Sequence, residues 1–136
     1  MGGSALILLD THVLVWVATG DERMSRRAIS AIRRARSSDG FAIVSISLLE
    51  MATLLARGRI RPFGTIEASL RLIVEQTGTA IKPLTVDIAA AAAQFPPAFP
   101  SDPADRIIAA TARVEDLVLV TRDERLRSSP LLKTLW

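Results

Sequence analysis

The stretch Ser101-Asp102-Pro103-Ala104-Asp105-Arg106 sets two carboxylates ahead of an apolar run, and three more acids stand in comparable company. Asp10 closes the run ALILLD, Glu50 is the single charge between Ile46 and Ala56, and Asp123 follows LVLVT by two residues. Each acid has an ordinary structural role to hand. Asp102 at an N-cap, Pro103 at the first helical position and Asp105 in the first turn make good helix-start chemistry. Asp10 and Asp123 suit Asx turns or caps, and Ser47 with Glu50 has the spacing of a capping box. The second reading comes from where these acids would meet. Ligands of an open α/β sheet bind beyond the carboxyl ends of its strands. Asp10, Glu50 and Asp123 fall at or just past such ends, and the 95–101 loop can bring Asp105 to the same edge. Carboxylates ~4 Å apart repel by about one to several kcal/mol per pair. Protonation or a divalent cation relieves that repulsion. An all-oxygen donor set suits Mg²⁺ or Mn²⁺, and such ions activate water and neutralise charge building on a phosphoryl group.

The elements that must position these acids are legible as alternating strands and helices. Short aliphatic runs at 5–10, 41–46 and 117–121, joined by 79–85 and 132–136, read as strands buried on both faces. Helical patterns cover 25–36, where Ile29 and Ile32 share a side opposite arginines, and 47–57, 65–76, 86–94 and 103–114. Helix 47–57 is apolar almost all round, so it is expected to be largely buried, with Gly58 at its end; helix 65–76 stops before Gly78. This alternation predicts an α/β fold with a mainly parallel sheet of about five strands. The 95–101 stretch FPPAFPS is a tight loop within the fold, and 136 residues is the length of one domain, 1–136.

Composition narrows the chemistry. Cysteine is absent, which excludes disulfides, thiolate metal sites and a cysteine nucleophile. No apolar run reaches the ~18 residues of a membrane span, and no basic segment precedes the N-terminal run as in a signal peptide; a cytoplasmic protein is expected. The net charge of +3 is carried almost wholly by arginine, since Lys82 and Lys133 are the only lysines. Arginine forks onto phosphate better than lysine does. A basic protein with an acidic pocket attracts a polyanion and admits its phosphate only through metal, which is the physical outline of a metal-dependent nuclease.

The motifs LLDTH, SISLLEMA, SDPADRIIAATA and LVLVTRDERL, in this order and spacing, resemble the PIN-domain family across essentially the whole chain, and within it the VapC-type toxins of bacterial toxin–antitoxin pairs. The resemblance implies a three-layer α/β/α sandwich and a Mg²⁺- or Mn²⁺-dependent ribonuclease leaving 5′-phosphate and 3′-hydroxyl ends. It implies that Asp10, Glu50, Asp105 and Asp123 are the metal-binding and catalytic acids, with Asp102, Thr121 and Thr11 in support. It also implies a homodimer, and a cognate antitoxin that places a basic residue in the acidic site.

Other residues are read more plainly. His12, the only histidine, is taken as a hydrogen-bonded structural residue and Trp16 as core. The arginines at 23, 26, 27, 33, 34 and 36 form a solvated face, with phosphate contact as the alternative. Arg106 and Arg122, next to proposed ligands, are candidates for substrate binding. A phosphatase with an aspartate nucleophile needs a second Asp two residues on, where this chain has His12. A non-catalytic module for RNA or protein, its acids serving as caps, is the competing class, and a PIN nuclease of RNA processing keeps the chemistry without the toxin role. The absence of appended domains weighs against the latter.

Overall fold

Three to five consecutive aliphatic side chains cannot reach solvent on either face once their strand lies mid-sheet, and the strands form accordingly. The computed structural model describes residues 6–136, so Ala5 of the first predicted strand lies outside it. It contains β1 (Ile7–Leu9), β2 (Phe41–Val44), β3 (Ala80–Lys82), β4 (Leu119–Val120) and β5 (Thr134–Leu135). They form one sheet in the order β3-β2-β1-β4-β5, every neighbouring pair parallel. Leu8 of β1 lies opposite Ala42 and Leu119, so the central strands run in close register and end near one another.

Helices cover both faces: α1 (Thr11–Thr19), α2 (Arg26–Arg36), α3 (Ile46–Ala56), α4 (Ile66–Thr77), α5 (Val86–Ala93), α6 (Pro103–Val114) and the short α7 (Glu124–Arg127). Alternation along the strands divides the core in two. Leu8, Ala42, Val44 and Leu119 pack with Ile88, Phe95, Phe99 and Ile108 under α5 and α6. Leu9, Phe41, Ile43 and Val120 pack with Leu14, Trp16, Ile32 and Met51 under α1, α2 and α3. The result is the expected three-layer α/β/α sandwich. No helix among the described residues is long and apolar enough to cross a membrane.

Three local expectations need correction. Helix α1 has no counterpart in the sequence reading; Val13, Leu14, Val15 and Trp16 are all buried, so it lacks the polar stripe that announces a surface helix. Its boundaries are Asp10 at the N-cap and Gly20, at φ +69°, whose N–H returns to the Trp16 carbonyl. Helix α3 buries only Ser47, Met51 and Leu55, and Leu49 is 63% exposed, so an apolar composition did not make it a buried helix. In α2 the buried stripe is Ala28, Ala31, Ile32 and Ala35, small residues that let the helix lie close on the sheet, while Ile29 is exposed.

Candidate active site

β1 and β4 are adjacent and parallel, so the residues that follow them leave the sheet on the same edge. Asp10 follows β1 directly and Asp123 lies three residues past β4. Glu50 reaches that edge from the second turn of α3, and Asp102 and Asp105 arrive at the start of α6. All five line one open cavity of about 480 Å³, whose wall is completed by His12, Val13, Trp16, Arg122 and Arg125.

Buried hydroxyls orient the acids. Asp10 Oδ1 accepts the Thr11 N–H at 2.9 Å, and Oδ2 accepts the Thr121 hydroxyl at 2.7 Å. Thr121 Oγ1 in turn accepts the Asp123 N–H at 3.1 Å, so one hydroxyl bonds the acid after β1 and the acid after β4. The Thr11 hydroxyl donates to Glu50 Oε1, so its 2.7 Å contact with Ser47 Oγ must take a proton from the serine. Thr11, Ser47 and Thr121 are all essentially inaccessible to solvent. Thr121 therefore fixes one oxygen of Asp10 and Thr11 one oxygen of Glu50, while Ser47 holds Thr11.

The choice between cap and pocket acid proves false for three of the residues. Asp10 caps α1, Asp102 caps α6 through the Asp105 N–H at 3.3 Å, and Asp123 caps α7 through the Arg125 N–H at 2.9 Å. All three line the cavity as well. Glu50 caps nothing. The expected capping box does not form, because α3 starts at Ile46 and the Ser47 hydroxyl has turned to Thr11.

Arg106 lies next to Asp105 in sequence but is absent from the cavity wall. Its guanidinium bonds the carbonyls of Pro100 at 2.8 Å, Ala92 and Pro96 at 3.3 Å, and Phe99 and Phe95 at 3.4 and 3.5 Å. It braces the proline-rich loop and is not placed to meet a ligand in the pocket. Arg122 does line the cavity, 6.0 Å from the centre of the Trp16 ring. His12 is exposed in the same wall with its ring 6.1 Å from Trp16. The arginines of α2 are exposed, as expected. Trp16 is 8% exposed and packs on Trp136. The residue that sequence reasoning missed is Arg125. Its Nη2 lies 2.9 Å from Asp123 Oδ2 and 3.2 Å from Asp105 Oδ2.

The PIN domain, as a family, matches residues 7–130. The chain belongs to the PIN-domain family. A relative of the PIN domain described here, the ribonuclease VapC22 of Mycobacterium tuberculosis, is 39% identical over 132 residues, 96% of this chain and 98% of its own. Two solved structures share the fold. VapBC2 from Rickettsia felis bound to a promoter DNA fragment superposes with a TM-score of 0.71 at 16% identity, covering 96% of this chain and 98% of that one. DNA-bound VapBC from Salmonella typhimurium gives 0.70 at 18%, covering 95% and 96%.

The electrostatics of this PIN pocket are those of crowded, part-buried acids. Burial pushes Asp105 up to about 7, reinforced by the charges of Asp102, Asp10 and Asp123 and opposed by Arg125. Asp10 is raised by burial against the pull of Thr121 and the Thr11 N–H. Glu50 is raised by burial and by Asp10 and Asp102, against its bond from Thr11. Asp123 alone among them is lowered, through its hydrogen bonds from Arg125. Among the described residues no three acidic or histidine side chains converge on a single point as the ligands of one ion would. The pocket is thus an oxygen-rich, negatively charged basin in which Arg125 stands between two of the acids.

A stability signature follows. Asp105 holds its proton to about 7 in the fold against 3.8 as a free side chain. Between those values the folded chain binds more protons than the unfolded one, so stability falls as pH rises. Without added divalent ions, the melting temperature is expected to drop by on the order of 5 °C from about pH 5 to about pH 8. Asp105→Asn should flatten that slope and melt higher than wild type at the alkaline end. Thermal melts across the range check it; equal slopes would show that Asp105 is ionised at little cost.

Proposed function

We propose that this chain, as one PIN-like domain over residues 1–136, is a Mg²⁺- or Mn²⁺-dependent endoribonuclease that hydrolyses RNA phosphodiester bonds and serves as the toxin of a toxin–antitoxin pair. The observation that carries the reading is Glu50. Capping accounts for Asp10, Asp102 and Asp123, but Glu50 caps nothing and still lines the cavity with them, held by a buried Thr11 that also binds Asp10 through its N–H. The ribonuclease relative, aligned over nearly its full length, supports the same reaction class.

The donor chemistry, rather than the spacing of the acids as they stand, fits a hard divalent cation. The donor set is entirely oxygen, and its carboxyls are raised by burial and mutual repulsion that a cation would relieve. Asp10, Glu50, Asp105 and Asp123 would hold it. A bound ion would acidify a water for attack on phosphorus and neutralise the charge that builds there. The chain does the rest. Thr121 and the Thr11 N–H lock both oxygens of Asp10, and Thr11 locks Glu50, so neither carboxylate must be ordered when substrate arrives. Asp102 holds the start of α6 and with it Asp105. Arg122, exposed in the cavity wall and backed by Trp16, offers a guanidinium to the RNA backbone. The exposed arginines of α2 add a sequence-independent attraction.

A protein partner is part of the same proposal. An apolar cleft of about 340 Å³ lies between α3, α4 and β3, lined by Leu48, Leu70, Val74 and Ile81. Together with exposed Leu49 and Ile66 it supports a homodimer and a cognate antitoxin that restrains cleavage.

The test is incubation of purified, partner-free protein with a panel of labelled RNAs under Mg²⁺ or Mn²⁺. Cleavage is expected with either ion, lost on EDTA, leaving 5′-phosphate and 3′-hydroxyl ends. A folded protein that cuts nothing across a broad panel would favour the non-catalytic binding module.

A further inference from the structure

Arg125 is 63% exposed, yet its guanidinium is not directed into solvent. It straddles two acids that come from different elements, Asp105 on α6 and Asp123 at the start of α7. Nε lies 3.3 Å from Asp123 Oδ1 and Nη2 lies 2.9 Å from Oδ2, a fork on one carboxylate with the same Nη2 reaching the other. The backbone N–H of Arg125 bonds Asp123 as well, so its Cα is anchored beside the pocket. The grip on Asp123 is strong enough to hold that carboxyl below its usual range. Most of the surface of the long side chain is nevertheless in water.

We propose that Arg125 is a built-in counter-cation that exchanges with the divalent ion: its guanidinium competes for Asp105 and Asp123, and on leaving them it takes up a backbone phosphate of the RNA at the cavity mouth. This rests on the divalent-ion reading above. Geometry makes the competition unavoidable. A cation shared by Asp105 and Asp123 must sit between their oxygens, where the guanidinium lies, and two like charges cannot share that gap. Rotation about the side chain frees the guanidinium without moving the backbone, because the anchor is the Arg125 N–H and not its head group. The displaced head group remains beside the cavity that its residue lines, and a forked donor is suited to phosphate. While the ion is absent the same contact offsets part of the repulsion among the acids, which gives the residue a role in both states.

The two halves predict changes of opposite sign in one variant. Titration calorimetry of the full chain with Mn²⁺ alone should show Arg125→Gln binding the ion about three- to tenfold more tightly than wild type, the range given by the loss of two exposed ion pairs. Arg125→Lys, a point charge without the fork, should fall between them. Anisotropy of a labelled single-stranded oligoribonucleotide, with Ca²⁺ as the ion and intactness checked on a gel, should show the Gln variant binding about three- to tenfold more weakly with a shallower salt dependence. A residue that merely orders the acids would weaken both measurements on removal, and a bystander would alter neither; either result overturns the proposal. Mn²⁺ binding by wild type with no gain in Arg125→Gln sinks this inference alone. No Mn²⁺ binding by any of the proteins sinks the divalent-ion reading, and this one with it.

Discussion

Asp10→Asn is expected to remain folded and to cleave RNA about 10³-fold more slowly than wild type, a barrier increase of roughly 4 kcal/mol. The substitution keeps shape and removes charge. Asp10 Oδ1 receives the Thr11 N–H and Oδ2 receives the Thr121 hydroxyl, so both oxygens are acceptors. An asparagine can keep the first bond through its carbonyl oxygen and must offer an N–H to Thr121 in place of the second. That mismatch costs about 1–3 kcal/mol. It is offset by removal of a carboxylate whose ionisation burial already opposes. The melting temperature should therefore lie within a few degrees of wild type while the pocket loses its most rigidly held negative charge. Loss of cation binding in the same variant, read by calorimetry, would locate the defect. Circular dichroism and a cleavage time course decide the matter: a folded variant with more than about a tenth of the wild-type rate would remove Asp10 from the reaction.

The acids were legible because their positions depend on coarse features. An acid at or just past the end of a strand lies at the carboxyl edge of a parallel sheet whatever its rotamer, and Asp10, directly after β1, and Asp123, three residues past β4, both obey this. Asp105 needed one more inference, that a proline-rich loop returns α6 to the same edge. The failures are equally physical. Helix α1 was invisible because residues 13–18 are apolar without a break and partly β-branched, so neither helical nor strand periodicity stands out. The Ser47 and Glu50 pattern matched a capping box, but a hydroxyl from 36 residues away took the serine, a competition that local spacing cannot display. Arg125 became part of the pocket only through a contact with Asp105 across 20 residues of chain. Arg106 was misjudged for the converse reason. Its neighbour in sequence is a pocket acid, but one residue along a helix is about 100° of rotation, and that turn carries it to the loop.

That same rotation makes Arg106 a polar residue whose removal should cost substantial stability. The loop it braces contains Pro96, Pro97 and Pro100, which have no N–H to donate, and its carbonyls need partners from elsewhere. One guanidinium bonds five of the carbonyls in and around it, at 2.8–3.5 Å. It also lies 5.9 Å from the centre of the Phe99 ring, which stacks on Phe95 at 4.1 Å in the core beneath α5 and α6. Arg106→Ala deletes every one of these bonds at once and leaves part-buried carbonyls unmet. The expected loss is about 2–4 kcal/mol, since several of the bonds are long and water can reach some of the orphaned groups. For a chain of this size that is a fall in melting temperature on the order of 10 °C. Arg106→Lys should recover only part of it, because an ammonium cannot reach carbonyls spread over so wide a fan. The loop leads straight into Asp102, the cap of α6, and so into Asp105. Loosening it should therefore lower cleavage even at temperatures where the alanine variant is fully folded, through imprecise placement of an acid to which the Arg106 guanidinium makes no bond. A variant that melts within a degree of wild type would show that the prolines and the Phe95–Phe99 stack close the loop unaided. One that melts low but cleaves at the wild-type rate when cold would separate the brace from the chemistry.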